Sequence, residues 1–269
     1  MTTPNRISER FRALAEAGQS GFVAYITAGD PSLAATLSVA RALDEAGVDI
    51  LELGIPFSDP VAVGPTIQAA STRALANGAT VAGVLDVVRE LRKTSQMPVV
   101  LFTYLNPVYV YGFENFLRDA VEAGADGLLI LDLPPEEAAQ NAEFLVASGL
   151  QPIRLIAPTT PPARMAKIVA GGGGFIYYVS REGVTGEQKD ISDTIGEQVA
   201  EIRRHTTLPI AVGFGISSPE QAAAVAKQSD AVVVGSAIVR RIAEHGSGEG
   251  LEARIKDFVS PLVQAAHTR

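Results

Sequence analysis

The sequence contains no cysteine and no tryptophan, and it has only three histidines. The absence of cysteine excludes disulfide bonds, thiolate nucleophiles and cysteine-based metal sites. His205, His245 and His267 all lie away from the ends of the predicted strands, which argues against histidine catalysis and histidine metal ligation. The Asp and Glu residues are scattered without the spacing of a metal-ligand cluster. The sequence therefore predicts a site without metal.

Positive charge and long apolar runs are also scarce. The chain has 22 Lys and Arg against 30 Asp and Glu, a net charge of -8, which argues against a surface for nucleic acid or anionic membranes. No run approaches the roughly 18 apolar residues of a transmembrane helix. The N-terminus, MTTPNRISERFRALAEAG, is typical of a polar amphipathic helix rather than a signal peptide. We expect a cytoplasmic protein.

Short apolar runs alternate with amphipathic segments along the whole chain. The runs are FVAYIT (22–27), DILEL (49–53), PVVLFTY (98–104), GLLILDL (127–133), IRLIA (153–157), FIYYVS (175–180), PIAVGFG (209–215) and AVVVGS (231–236). Runs without alternation are typical of parallel strands covered on both faces. Several of the helical segments end in a glycine just before the next run, as at Gly47, Gly124 and Gly149, where a left-handed C-cap is expected.

About eight such βα units in 269 residues predict a (β/α)8 TIM barrel with an additional N-terminal helix. The competing architecture is a doubly wound open sheet, which usually has fewer strands and a glycine-rich fingerprint after the first one. Here the first run is followed by AGDP, which lacks that fingerprint. No linker-like tract divides the chain, so residues 1–269 are predicted to form one domain.

The most informative stretch is LELGIPFSDPVAVGPTIQ, residues 51–68. It places one acid, Glu52, within a short apolar strand that Gly54 and Pro56 bring to an end. A carboxylate in such a strand is costly unless it is paired or tuned for proton transfer. Glu52 is therefore a candidate proton carrier at the carboxyl ends of the strands, and the alternative is that it satisfies a buried polar network.

Two glycine-containing loops indicate a phosphate site. Gly213, Gly215 and Ser217 follow the seventh predicted strand, while Gly235 and Ser236 follow the eighth and open a helix. Glycines let an anion approach backbone N–H groups, and a helix N-terminus adds a favourable dipole. Barrels often bind phosphate between these two loops, so phosphate binding is favoured over simple turns.

Other polar residues at strand ends have simpler interpretations. Asp30 and Asp132 each precede a proline-initiated helix, so we expect them to cap those helices. The polar segment 181–193, REGVTGEQKDISD, lacks apolar periodicity and is predicted to be either a lid over the site or a disordered surface loop.

Four motifs in this order, LELGIPFSDP, SREGVTG, GFGISSPEQ and GSAIV, resemble the tryptophan synthase α subunit family. The N-terminal helix and the AGDP turn resemble it too, so the likeness covers essentially the whole chain. It implies a lyase that cleaves indole-3-glycerol phosphate, by a retro-aldol reaction, into indole and glyceraldehyde 3-phosphate. It also implies no cofactor in this chain, and an α2β2 complex whose β subunit uses pyridoxal phosphate.

The resemblance assigns roles to individual residues. Glu52 matches the family's catalytic acid/base, and Tyr177 matches the active-site tyrosine near it. Such proton transfer needs a carboxyl group tuned toward neutrality in a dry pocket. Tyr25 and Phe102 fall at positions that line the indole pocket.

The remaining matches concern the phosphate and the covering loops. The positions that match the family's phosphate-binding backbone are Gly186, Gly215, Gly235 and Ser236. The loop 55–63 and the lid around Thr185 match mobile segments that close over substrate and face the partner subunit.

One position departs from the family pattern. Val63 stands where the family has a second catalytic acid, which steadies the indole N–H as the ring becomes cationic and which bonds the lid residue matched by Thr185. Valine can neither accept a hydrogen bond nor carry charge. Losing such a partner typically costs about 3–4 kcal/mol of transition-state stabilisation. Asp59 is the nearest acid in sequence, but it would need a loop rearrangement to help.

Two functions remain open on this reading. The first is an indole-3-glycerol phosphate lyase, slowed by Val63 or otherwise compensated. The second is a catalytically weak subunit that binds phosphate and activates a β subunit. A related phosphate-binding barrel, such as a phosphoribosyl-anthranilate isomerase or an indole-glycerol-phosphate synthase, is disfavoured because those enzymes use a Cys/Asp pair or a strand lysine, and the predicted strands contain neither Cys nor Lys.

Overall fold

A computed structural model describes residues 5–180, 188–213, 215–246 and 248–268. The strands in these residues form one parallel sheet, ordered β5-β4-β3-β2-β1-β9-β8-β7-β6. They are β1 (Gly21–Thr27), β2 (Ile50–Gly54), β3 (Val99–Thr103), β4 (Gly127–Ile130), β5 (Gln151–Pro152), β6 (Arg154–Ile156), β7 (Ile176–Val179), β8 (Ile210–Gly213) and β9 (Ala231–Val234).

The sheet closes through a strand that is broken at one residue. β5 and β6 are two parts of the fifth predicted strand, separated by Ile153; β5 pairs with β4, and β6 pairs with β7. The N–H of Ile153 donates to the carbonyl of Leu128, and the N–H of Gly173 donates to that of Pro152, both at 2.9 Å. The predicted eight-stranded TIM barrel is therefore confirmed, and the seventh and eighth predicted strands are β8 and β9.

Helices lie between the strands and cover the outside of the barrel. They are α1 (Arg6–Glu16), α2 (Leu33–Glu45), α3 (Pro65–Ala76), α4 (Val81–Arg92), α5 (Leu105–Tyr111), α6 (Phe113–Ala123), α7 (Pro135–Gln140), α8 (Ala142–Ser148), α9 (Pro162–Ala170), α10 (Gln188–Arg203), α11 (Pro219–Ala226), α12 (Ser236–His245) and α13 (Leu251–His267). Gly124 and Gly149 end α6 and α8 in the predicted left-handed conformation, with φ of 97° and 83°.

Alternation along the strands divides the apolar residues into two cores. One set, including Leu51 and Leu53 of β2, packs against the outer helices. The other set fills the barrel, where Tyr25 of β1 and Phe102 of β3 point inward. Because side chains on a strand alternate between its faces, Glu52 points to the inner side, between its outward-facing neighbours.

The predicted N-terminal helix α1 covers the end of the barrel at which the strands begin. Ile7, Phe11 and Leu14 are buried in the inner core, and the Phe11 and Phe175 rings are 5.7 Å apart. The side chain of Asn5 caps the helix by accepting N–H groups of its first turn. Helix α1 therefore closes this end of the barrel.

One predicted helix cap is wrong, and part of one predicted loop is helical. Ser32, not Asp30, caps α2, because the carboxylate of Asp30 is buried and paired with Arg73 at 2.7 and 2.9 Å. The carboxylate of Asp132 accepts the N–H of Leu105, the first residue of α5, at 2.7 Å and so contacts a helix of a neighbouring βα unit; its capping of α7 stays a prediction. Of the predicted loop 181–193, residues 188–193 belong to α10, and residues 181–187 lie outside the described residues. None of the helices in the described ranges has the length and apolar character needed to cross a membrane.

Candidate active site at the carboxyl ends of the strands

Glu52 is the central polar residue of the barrel interior. It lies in β2 beside Tyr25 of β1 and Val100 of β3, and its side chain is fully buried. Neither carboxylate oxygen has a hydrogen-bond partner in the described residues. Burial without a compensating partner disfavours the charged form and raises the pKa of Glu52 to about 8. A carboxyl group with this pKa is suited to exchange a proton near neutral pH, and the alternative of a satisfied polar network is not supported.

Two tyrosines face this carboxyl group. Burial raises the pKa of both Tyr25 and Tyr177, and the negative charge of ionised Glu52 raises each further. Both phenols thus stay neutral and can donate hydrogen bonds at physiological pH. The hydroxyl groups of Tyr25 and Thr27 are 3.3 Å apart, and the ring of Tyr25 meets that of Phe102 edge to face at 4.9 Å. These contacts fix the Tyr25 ring in place.

Glycines at the strand ends make room for these two rings. A methyl group on Gly54 would collide with the hydroxyl of Tyr25, and one on Gly213 would lie 2.7 Å from the hydroxyl of Tyr177. One on Gly235 would lie 3.2 Å from the Cβ atom of Tyr25. At Gly213 and Gly235 the absence of a side chain therefore has a steric cause inside the barrel.

The ends of β8 and β9 also offer an approach for an anion. Gly235 precedes α12, Ser236 is the first residue of that ten-residue helix, and no side chain in the described residues caps it. Gly215, after β8, has φ of +60°, and a methyl group there would meet no atom within 4 Å. Because β8 and β9 are neighbours, the predicted glycine loops lie side by side next to Tyr25 and Tyr177. Uncapped N–H groups and the helix dipole suit a bound anion.

Val63 lies in the loop between β2 and α3. It is half-buried and packs against the inner core, as do Ile67, Leu131 and Tyr177. Asp59 is exposed, and its carboxylate accepts the hydroxyl hydrogen of Ser58 at 2.5 Å. The loop therefore presents an apolar side chain to the interior at the position of the family's second acid. We call the region lined by Glu52, Tyr25, Phe102, Val63 and Tyr177 the chamber.

The structure brings the residues predicted for catalysis and for the indole pocket to the barrel interior. Tyr25 and Phe102 belong to the inner core, Val63 and Tyr177 pack against it, and Glu52 points to the same side from β2. Gly215, Gly235 and Ser236 lie at the same end of the barrel, whereas Thr185 and Gly186 lie outside the described residues. Sequence reasoning gave no role to Thr27, Tyr104 and Gln68, which bond to Tyr25 or to the loop carrying Val63. The sequence signal for them is their position, at the last residue of an apolar run for Thr27 and Tyr104 and in the first turn of a helix for Gln68.

A family model and similar sequences both match nearly the whole chain. A family model described as tryptophan synthase alpha chain matches residues 11–267. The tryptophan synthase alpha chains of Citrifermentans bemidjiense and Opitutus terrae are 49% and 48% identical to the chain over 260 residues, which span 97% and 96% of it and 97% and 98% of those proteins.

Solved structures agree in fold over their whole length. Tryptophan synthase subunit alpha from Legionella pneumophila superposes with a TM-score of 0.90 at 41% identity, covering 98% of this chain and 99% of that one. A chain of Mycobacterium tuberculosis tryptophan synthase also gives a TM-score of 0.90, at 34% identity, covering 99% of this chain and 100% of that one. With 257 residues matched by its model and nearly half of all positions shared with its members, the chain belongs to the tryptophan synthase alpha chain family.

Proposed function

We propose that the chain is a lyase that cleaves indole-3-glycerol phosphate to indole and glyceraldehyde 3-phosphate. The observation that carries this proposal is Glu52, a buried carboxyl group without a partner in the described residues, whose pKa of about 8 suits both loss and uptake of a proton at neutral pH. It lies in a chamber lined by aromatic and apolar side chains, which suits an indole ring.

A retro-aldol cleavage needs two proton movements. One adds a proton to the ring carbon that carries the glycerol chain, and the other removes the proton of the neighbouring glycerol hydroxyl group. Protonated Glu52 supplies the first proton, and the resulting carboxylate accepts the second, so Glu52 ends the cycle as it began. The carbon–carbon bond breaks with its electron pair returning to the ring, and the hydroxyl carbon becomes the aldehyde of glyceraldehyde 3-phosphate.

The phosphate group fits the other side of the chamber mouth. Backbone N–H groups at Gly215, Gly235 and Ser236 are the proposed ligands, supported by the uncapped start of α12. By resemblance to the family alone, we also propose Gly186 as a phosphate ligand and Thr185 as part of a lid over the substrate. Tyr177 lies between this region and Glu52, where its neutral hydroxyl group is a candidate hydrogen-bond donor to the substrate.

Measurement of indole release from indole-3-glycerol phosphate tests the proposal. We expect the chain to release indole and Glu52→Gln, which keeps the shape but not the exchangeable proton, to lose at least about 10² of the rate. Glu122→Gln, on the exposed side of α6, is the matched control and should behave as the parent. A Glu52→Gln variant with the parental rate would contradict the assigned role.

A second candidate function follows from Val63. With an apolar side chain at the second acid position, the chain could bind substrate or phosphate with little turnover and activate a β subunit. For either function we propose that the chain forms an α2β2 complex in the cytoplasm. Pyridoxal phosphate is then bound only by the β partner, and this chain uses no metal or organic cofactor. A chain that releases no indole yet stimulates a purified tryptophan synthase β subunit would favour this second function.

A further inference from the structure

We propose that Tyr104 is a positioning residue that holds the loop between β2 and α3 over the chamber. Tyr104 directly follows β3, and the loop, residues 55–64, carries Val63. The inference rests on the proposed function, because it gives Tyr104 a role in the reaction without contact with the reacting atoms.

Tyr104 contacts this loop at two separate points, through one hydrogen bond and through one ring contact. Its hydroxyl oxygen accepts the N–H of Ala62 at 2.9 Å, and its ring packs against Phe57 with the ring centres 5.2 Å apart. Tyr104 is 4% exposed whereas Ala62 is exposed, so a buried ring holds a surface loop from the inner side. Burial raises the pKa of Tyr104, which keeps the phenol neutral through the physiological range.

Tyr104 is itself anchored from the next βα unit. The N–H of Leu105, the first residue of α5, donates to the carboxylate of Asp132 at 2.7 Å. The backbone that carries the Tyr104 ring is thus fixed to the end of β4. A rigid support of this kind is what a residue needs in order to place a loop rather than follow it.

Gln68 holds the other side of the same peptide segment. From the first turn of α3, its side-chain amide donates to the carbonyl of Val63 at 2.9 Å and to that of Pro60 at 3.4 Å. The N–H of Ala62 and the carbonyl of Val63 are therefore both tied to side chains on the barrel. Together these bonds set where the Val63 side chain meets the inner core.

The expected consequence of losing the Tyr104 bond is a wetter chamber. Val63 and Ile67 pack against the inner core, to which Glu52 also points, and burial is what raises the Glu52 pKa. A loop that opens more often admits water, which stabilises the carboxylate and lowers its pKa. Catalysis should then slow, because Glu52 is protonated less often, while substrate contacts made elsewhere remain.

Tyr104→Phe removes only the hydroxyl group and keeps the ring. We expect the Glu52 midpoint in the pH profile to move down by about one unit, so that kcat for indole release above pH 8 falls about tenfold, while KM changes less than threefold. Tyr111→Phe is the control, since it removes a tyrosine hydroxyl at the end of α5 that donates to Asp119 of α6 and not to the loop 55–64. Parental kcat and midpoint in Tyr104→Phe, or an equal fall in Tyr111→Phe, would overturn the inference.

A readout without substrate separates this inference from the proposed lyase activity. Amide hydrogen exchange at Ala62 should quicken at least about tenfold in Tyr104→Phe and stay unchanged in Tyr111→Phe. In the same samples, titration of the Glu52 carboxyl group by carbon NMR should show the lower midpoint. If the parent chain releases no indole, the lyase proposal fails while these two measurements still decide the role of Tyr104; unchanged exchange and titration would overturn it.

Discussion

At the scale of single residues, the chamber contains Glu52, a carboxyl group that burial keeps neutral, and Val63, a valine where the family has a second acid. Glu52 gains nothing from Val63 except exclusion of water, because a valine side chain offers no charge and no hydrogen bond. The developing positive charge on an indole ring would therefore face an apolar wall. The residue at position 63 should then limit the rate more than the residue at position 52.

Val63→Asp is expected to raise kcat for indole release by about 10²–10³, because a carboxylate at this position would stabilise the cationic ring. Initial rates of indole formation with both proteins provide the measurement. Val63→Asn is the matched control, since it adds a hydrogen-bond acceptor without charge and should give a smaller gain. Equal rates for the parent chain and the Val63→Asp variant would mean that another group already supplies the missing charge.

Gly213→Ala is expected to displace Tyr177. The added methyl group would lie 2.7 Å from the tyrosine hydroxyl, closer than such contacts normally allow. We expect a loss of about 1–3 kcal/mol in the free energy of unfolding and a lower kcat, measured by urea denaturation and indole release. Gly64→Ala is the control because a methyl group there meets no atom within 4 Å and its φ of -76° is ordinary. If both variants behave alike, the contact with Tyr177 is not the cause.

At the scale of elements, helix α1 determines which end of the barrel can bind a ligand. Its apolar face fills the end at which the strands begin. Its charged face is tied down by Arg6 to Asp126 at 2.9 Å and by the Arg10–Asp49 pair. In each pair a half-exposed arginine meets a buried carboxylate, and the cost of removing that carboxylate from water offsets much of the attraction. Burial of the aromatic and aliphatic side chains should dominate.

Phe11→Ala is therefore expected to lower the free energy of unfolding by about 3–5 kcal/mol, the usual cost of removing a buried phenylalanine. Phe11 is 6% exposed and packs on Phe175. Arg12→Ala, on the exposed side of the same helix, should change stability by less than about 0.5 kcal/mol. Urea titrations of the two variants provide the comparison; a Phe11→Ala loss as small as that of Arg12→Ala would show that α1 is not part of the folded core.

Features set by neighbouring residues could be predicted from the sequence, whereas features set by residues far apart in the chain could not. Apolar runs and glycine caps are local, so the strands, the helix ends at Gly124 and Gly149, and the placement of Glu52 followed from the sequence. The break at Ile153 did not, because the run IRLIA looks continuous. The Asp30–Arg73 pair also escaped prediction, since the two residues lie 43 positions apart and a local helix cap explained Asp30 equally well.

At the scale of the whole molecule, the barrel holds an ionisable group in its interior at a cost in stability. Closing the sheet and covering one end with α1 removes Glu52 from water, and the described residues provide no compensating hydrogen bond. Such a cost is commonly tolerated where the group has a function. The same geometry that tunes the proton carrier therefore links folding stability to pH.

The pH dependence of stability should carry the signature of Glu52. Its pKa is raised from 4.5 to about 8 by burial, so between these values the folded chain binds the proton more tightly than the unfolded chain. The contribution to stability is fully present below about pH 4.5 and is lost as pH rises toward 8, at about 1.4 kcal/mol for each pKa unit between the two states. Glu52→Gln cannot ionise, so its free energy of unfolding should exceed that of the parent by a margin that grows by several kcal/mol from pH 5 to pH 9. Urea titrations of both proteins at several pH values measure this margin, with Glu122→Gln as the exposed control. A constant margin across that range would mean that Glu52 ionises as readily in the folded chain as in the unfolded one.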